Sequence, residues 1–297
     1  MGLRLPSGAV LDFSGAALVM GIVNCNGDSF YGPSRALGER AVEKALAAEE
    51  EGASIVDFGA ESSRPGSCYI GEDEELERLI PVIESFRKRS CLPVSVDTRK
   101  AAVARSALDA GADIINDISG LCDDPGMAAV CAERGAAVVL MHKKGVPLTM
   151  QEKPGYGDLA GELRAFFASS VEKALAAGIP DGKIILDPGI GFGKGTEHNL
   201  EILRHLASLM RLAEIGGKDY PVLVGLSRKS FIGEICGRRN AAQVAAQVAA
   251  LDAAERLPGT LAANAAAVMG GASIIRVHDV REHVDLAKML FAIFKGN

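Results

Sequence analysis

LVMGIVN (18–24) is a short apolar run that ends on a polar residue, Asn24, and seven more runs follow the same rule. They are SIVDFGAE (54–61) with Asp57 and Glu61, PVSVD (93–97) ending at Asp97, and DIIND (113–117) with Asn116 and Asp117. AVVLMH (137–142) ends at His142, KIILD (183–187) at Asp187 and PVLVGLSRK (221–229) at Lys229, while SIIRVH (273–278) carries Arg276 and His278. Short, nearly continuous apolar runs suit parallel strands covered on both faces. Stretches long enough for one helix separate them. A βα unit repeated eight times closes into a (β/α)8 TIM barrel, whose active site lies at the C-terminal ends of the strands. The sequence therefore predicts an α/β protein, one barrel domain over residues 1–297, and puts the site at the polar run ends.

Outward from the runs, residues 3–13 are expected to form a short N-terminal hairpin that plugs the bottom of the barrel, where contacts serve stability. Helices are expected near 39–51, from the acidic run at 72–77, and near 100–110, 125–134, 158–177, 199–213, 241–257 and 282–295. Negative charge at 72–77 favours a helix start. The segment AAQVAAQVAALDAAE (241–255) reads as a close-packed helix whose small residues would also suit a contact between subunits. Three loops after runs are long: NCNGDSFYGPSRALG (24–38), ESSRPGSCYIGED (61–73) and KKGVPLTMQEKPGYGD (143–158). A βα loop usually has about 2–6 residues, and longer ones tend to be lids or binding loops.

Composition narrows the function. With 48% hydrophobic residues the chain can fill a large core, and a net charge of −6 argues against a nucleic-acid surface. Trp is absent and aromatics are 5%, which disfavours base-stacking platforms. No run approaches a membrane span, and MGLRLPSGAVLDF has no sustained apolar stretch of signal-peptide type. The six cysteines form no C-x-x-C pair, so neither a zinc site nor a dithiol is indicated. Scattered thiols of this kind lead us to expect a reduced, cytoplasmic enzyme. Cys25 and Cys68 read as incidental neighbours of the site.

Two motifs are decoys. DPGIGFGKGT (187–196) misses the phosphate-binding G-x-x-x-x-G-K-[ST] spacing by one residue, and it also fails G-x-G-x-x-G. What remains is an acid followed by a glycine-rich turn, which would let a flat ligand approach the backbone. His142, His198, His205 and His283 read as structural or solvated. Arg276 and His278 differ, because alternation puts both on one face of the last strand. An arginine inside a barrel needs an anionic partner. We expect that partner to be a ligand anion, since the end of the last strand is the common phosphate site of this fold. Asp97, Asn116 and Asp187 converge on the same mouth. Carboxylates pair well with two adjacent N–H donors, as on an aminopyrimidinone edge, so the residues alone point to an amine-bearing, anionic small molecule.

At this point the residues resemble a family. MGIVNxxxDSF (20–30), DFGAESSRPGS (57–67), SVDT (95–98), NDISG (116–120), DPGIGFGK (187–194) with His198-Asn199, GLSRKSFIG (225–233) and RVHDV (276–280) occur in this order. Together they look like dihydropteroate synthase, a transferase of bacterial folate synthesis and a sulfonamide target. The resemblance implies condensation of 6-hydroxymethyl-7,8-dihydropterin pyrophosphate with p-aminobenzoate, assisted by Mg2+, in a homodimer. It implies that Asp97, Asn116, Asp187, Lys229 and Arg276 bind the pterin. Asn24 would coordinate the metal, and Asn24, Ser63, Arg276 and His278 would hold the pyrophosphate. Ser63, Arg64, Pro65, Phe192, Lys229 and Ser230 would cover p-aminobenzoate, with the catalytic role falling on Lys229, Arg276, His278 and Arg64.

The first loop departs from the family pattern, with Asn26-Gly27 where Thr-Pro is usual and Gly32 where an Asp is expected; in the turn after Asp187, Gly195 also replaces a usual Thr or polar residue after Lys194. Two alternatives stand beside the synthase, the first because it shares the pterin-binding acids and amides, the second because of Gly32. One is a methyltransferase that binds methyltetrahydrofolate in a similar barrel, and the other is a catalytically silent pterin-binding paralogue.

Overall fold

The computed structural model describes residues 2–25, 34–62, 67, 69–146, 148–150, 154–212, 219–237 and 251–294, without the side chains of 34–37 and 210–212. The predicted barrel is present. Its strands are β3 (Leu18–Asn24), β4 (Ile55–Gly59), β5 (Val94–Asp97), β6 (Ile114–Asp117), β7 (Ala137–Met141), β8 (Ile184–Asp187), β9 (Leu223–Gly225) and β10 (Ile274–Val277). All neighbours are parallel, in the order β8-β7-β6-β5-β4-β3-β10-β9. A parallel bridge between Leu186 and Val222 brings β8 to the entry of β9 and closes the ring.

Alternation along each strand makes two cores. Outward residues such as Val56, Phe58, Val96, Ile115, Leu140, Val224 and Ile275 pack under the helices. Inward residues Met20, Ile55, Ile114, Ala137, Val139, Ile185, Leu223 and Ile274 fill the lower barrel, and Leu3, Leu5 and Leu11 pack against them from below. Those leucines belong to or flank the hairpin β1 (Gly2–Arg4) and β2 (Val10–Asp12), whose strands are antiparallel. The hairpin is thus the expected plug: its apolar positions point up into the barrel and the intervening ones face solvent.

The helices are α1 (Ser34–Glu50), α2 (Glu72–Arg87), α3 (Ala101–Asp109), α4 (Met127–Arg134), α5 (Leu159–Ala176), α6 (Thr196–Leu212), α7 (Ser230–Cys236), α8 (Leu257–Met269) and α9 (Val280–Phe294). Their starts have local causes. Asp158 caps α5 by accepting from Gly161 N at 2.9 Å. Glu72, Asp73, Glu74 and Glu75 fill the first turn of α2. One expectation is corrected: the helix expected over 241–257 has its first ten residues outside the described ones, and Ala253–Arg256 is a 3-10 turn. The α-helix follows as α8, with Pro258 in its first turn, where proline's fixed φ is pre-set for a helix.

Candidate active site at the C-terminal mouth of the barrel

Register brings the predicted polar residues level. Asn24 pairs with Gly59, Gly59 with Asp97, and Asp97 with Asn116, one row across β3, β4, β5 and β6. On the inner face Arg276 reaches across the barrel between two carboxylates. Its Nε donates to Asp57 Oδ2 at 2.6 Å and its Nη2 to Asp97 Oδ2 at 2.9 Å. Asp57 is 0% exposed, and it also accepts from Ser95 Oγ at 2.5 Å and Asn116 Nδ2 at 3.4 Å. The anionic partner expected from a ligand is therefore supplied in this structure by the protein. Nη1 of Arg276 makes no bond among the described residues, and the buried Asn116 Oδ1 has no partner.

Asp57 is the residue that sequence reasoning noted at a run end and then left out of the site. A signal was available. Ile55, Asp57 and Gly59 alternate inward, so a carboxylate inside a strand buried on both faces needed a cation, and Arg276 faces the same interior.

Opposite lie Asp187 and Lys229. Asp187 Oδ1 accepts from Gly189 N at 2.7 Å, so it also caps the turn that follows β8. Lys229 enters from the loop after β9, donates to Ile190 O, and holds its Nζ 4.4 Å from the centre of the Phe192 ring. Burial pushes the Asp97 carboxyl up to about 7, against the pull of Arg276 and with added repulsion from Asp57. Burial also raises Asp187, and it lowers the Lys229 amine to about 8 although Asp187 favours its charge. Removal from water thus raises the two carboxyls and lowers the amine at the mouth.

Two glycines of the turn after β8 have a reason within the protein itself. Gly189 has φ 65°, and a Cβ there would sit 1.9 Å from His142 O; at Gly193 it would sit 2.1 Å from Lys144 O. Gly189 and Gly193 let the loop after β8 press on the backbone of the loop after β7, while Gly191 lies against the Lys229 side chain. Lys194, 1% exposed, fastens the two loops by donating to His142 O at 3.2 Å, Gly189 O at 3.0 Å and Phe192 O at 3.2 Å. Its Nζ also lies 2.8 Å from His142 Nδ1. Burial and the Lys194 charge depress His142 to about 3, so its ring is neutral and acts as an acceptor there. His142 is structural, as expected.

Around the rim, His278 Nδ1 lies 2.9 Å from Ser227 Oγ, and Ser230, exposed, opens α7. Asn24 is exposed at the end of β3. Cys25 beside it is pushed to about 12 by burial, which keeps it a thiol. Ser63, Arg64, Pro65, Cys68, Asn26, Gly27 and Gly32 lie outside the described residues, and so do the first ten residues of the proposed subunit-contact segment. Among the described residues no cluster of three His, Cys, Asp or Glu side chains could hold a metal, and no helix is long and apolar enough to cross a membrane.

Comparison with known proteins agrees with this geometry. The family described as pterin binding enzyme matches residues 20–278. Dihydropteroate synthase of Synechocystis sp. is 43% identical over 98% of this chain and 95% of its own. The Escherichia coli K12 enzyme of that name is 42% identical over 92% of this chain and 90% of its own. Yersinia pestis dihydropteroate synthase, solved with a sulfonamide drug complex, superposes with a TM-score of 0.87 at 38% identity, covering 100% of both chains. Xanthomonas albilineans dihydropteroate synthase, solved with 4-aminobenzoic acid, gives 0.84 at 38% identity over 99% of this chain and 98% of its own. With motifs on nearly every strand end, a matching barrel and these relatives along its length, the chain belongs to the pterin-binding enzymes, among the dihydropteroate synthases.

Proposed function

We infer that this chain condenses 6-hydroxymethyl-7,8-dihydropterin pyrophosphate with p-aminobenzoate, giving 7,8-dihydropteroate and pyrophosphate. The observation that carries the reading is the acceptor set at the mouth: Asp97, Asp187 and the unpartnered Asn116 Oδ1, facing Lys229. The pterin edge offers an exocyclic amine beside ring N–H groups, which matches acceptors, and its carbonyl matches an ammonium. A buried acceptor left unmade costs about 1–3 kcal/mol, so filling Asn116 Oδ1 favours the ring in one orientation.

In the reaction the aminobenzoate nitrogen forms a bond to the methylene carbon of the pterin. The carbon–oxygen bond to pyrophosphate breaks, its electron pair leaves with the oxygen, and the nitrogen loses a proton. The amine is already nucleophilic, so positioning and charge stabilisation carry the rate. Arg276 commits Nε and Nη2 to carboxylates and presents Nη1 to the departing anion, with His278 beside it on the rim. Ser63, Arg64, Pro65, Phe192, Lys229 and Ser230 cover p-aminobenzoate in this reading.

One hard oxygen donor, the exposed Asn24 amide, with no acid cluster around it among the described residues, fits Mg2+ in its usual manner, shared with substrate phosphates and water. Such an ion supplies charge neutralisation on the pyrophosphate. A cytoplasmic location is inferred from unbridged thiols such as Cys25, Cys91 and Cys131. A homodimer is inferred from an apolar face on α9 and the end of α8. Met269, Met289, Ile293 and Phe294 are 56–63% exposed there. Sedimentation should give twice the chain mass, and Met289→Glu with Ile293→Glu should shift it to the monomer.

The test of function is pyrophosphate release that requires both substrates and Mg2+. The silent-paralogue reading, motivated by Gly32, expects pterin binding without release. The methyltransferase reading expects transfer to a corrinoid partner instead. Sulfonamides should inhibit in competition with p-aminobenzoate, and inhibition that p-aminobenzoate cannot relieve would count against the assigned pocket.

Affinity should also depend on pH. Asp97 must be ionised to accept, so binding of 7,8-dihydropterin strengthens as pH rises through about 7. It weakens again above about 8, as Lys229 loses its proton. Calorimetric titrations from pH 5.5 to about 9 read both limbs. A flat profile would remove these two groups from the ring contacts.

A further inference from the structure

The loop after β9 makes a tight turn just before Lys229. Lys229 N donates to Leu226 O at 3.2 Å, which makes residues 226–229 a β-turn. Its third residue, Arg228, has φ 59°, whereas Ser227 before it is not in the left-handed region. That combination is a type II turn, which calls for glycine at the third position. An arginine held there needs a reason.

The structure supplies one on every side of the residue. Arg228 N donates to the buried Thr260 Oγ1 at 3.2 Å, and its carbonyl accepts from Arg256 Nη1 at 2.8 Å. Its guanidinium grips Asp279 with both arms, Nε to Oδ2 at 3.1 Å and Nη2 to Oδ1. Asp279 follows His278, and its carbonyl lies 2.5 Å from Nδ1 of the buried His283, which in turn meets Asn264 at 3.0 Å. Next to this pair, Ser227 Oγ bonds both N and Nδ1 of His278, at 3.2 and 2.9 Å. Two parallel stitches therefore join the loop after β9 to the loop after β10. The first residue beyond them is Lys229, aimed at Ile190 O and Phe192. Among the described residues the Arg228 side chain bonds Asp279 and no residue assigned to the pterin.

We propose that Arg228 is a positioning residue for the reaction: braced on Asp279, it holds the left-handed turn that presents Lys229 to the pterin in one rigid frame with Arg276 and His278. The proposal rests on the pterin pocket inferred above. A bidentate fork explains why arginine stands where glycine would be less strained. Glycine would keep the turn, but nothing would then tie it to the loop after β10.

Four full-length proteins test it: wild type, Arg228→Gly, Arg228→Lys and Asp279→Asn. Arg228→Gly preserves the turn and removes the brace, so its thermal midpoint should stay close to the parent's. Calorimetric affinity for 7,8-dihydropterin should nevertheless fall by about tenfold or more, as misplacing a contact group does. Asp279→Asn should reproduce that loss, and Arg228→Lys should recover part of it. The separating readout is the titration of Lys229, followed by 13C NMR of the reductively methylated amine. Burial holds that amine near 8 with Asp187, Arg276 and Asp97 acting on it. In Arg228→Gly those charges remain, so a titration moving up toward an ordinary lysine reports displacement of Lys229 itself. Unchanged pterin affinity and an unchanged Lys229 titration in Arg228→Gly would overturn the proposal. So would full affinity in Asp279→Asn. Failure of the wild type to bind pterin would instead overturn the functional reading.

Discussion

An Arg276→Ala variant is expected to lose stability and its hold on the pyrophosphate ester together. Asp57, fully buried, and Asp97 both lean on this guanidinium. Removing it leaves two carboxylates uncompensated in the barrel, which costs about 3 kcal/mol in comparable buried pairs. The sign with pH follows from linkage. Without Arg276 the Asp97 carboxyl, already pushed up by burial, rises further, so the native state takes up more protons than the unfolded one. The deficit relative to wild type is therefore larger at pH 8 than at pH 5 and shrinks as pH falls. Urea unfolding at pH 8 and pH 5 measures this directly. Calorimetry adds the functional half: affinity for the pyrophosphate ester should fall further than affinity for a phosphate-free pterin, because Nη1 is the arm left for the anion. Equal losses for both ligands would confine Arg276 to the pterin ring or to the fold.

Asp97→Ala and Asp187→Ala should each weaken pterin binding by more than about tenfold, through loss of a charge-assisted pair to the ring edge. The two variants should differ in stability. Asp97 has been pushed to about 7 mainly by burial, and in its absence Arg276 keeps Asp57. Asp97→Ala is thus expected to unfold within about 1 kcal/mol of the parent at pH 7. Asp187→Ala strands Gly189 N, whose acceptor it was, and loosens the turn carrying Ile190 and Phe192. Its midpoint should drop and its binding loss should exceed that of Asp97→Ala. Unchanged pterin affinity in both variants would remove the assigned pocket.

These contrasts mark how far the sequence could be read. The barrel was legible because eight apolar runs each carry their own strand signal, and because alternation within a run needs no partner to be read. The plug was legible for the same reason: Leu3, Leu5 and Leu11 had to be covered, and the barrel floor is the nearest cover. The candidate site residues were legible as polar ends to apolar runs. The described end of the helix expected over 241–257 departs from that expectation at 253–256, because alanine-rich periodicity does not say where the chain turns between Asp252 and Pro258.

The sequence by itself determined the strand order, the inward face of each strand and the end of the barrel where chemistry could sit, since each follows from local periodicity and short connections. Only the tertiary structure decided which charges meet. Asp57 and Arg276 are joined at 2.6 Å across the barrel, though 219 positions apart, by strand register and barrel closure, which no local pattern encodes. It likewise decided that Gly189 and Gly193 make room for a neighbouring loop, and that Arg228 is bent into a glycine's conformation to reach Asp279. A glycine's purpose depends on what approaches it, and a strained residue on what holds it. Both are facts about neighbours in space.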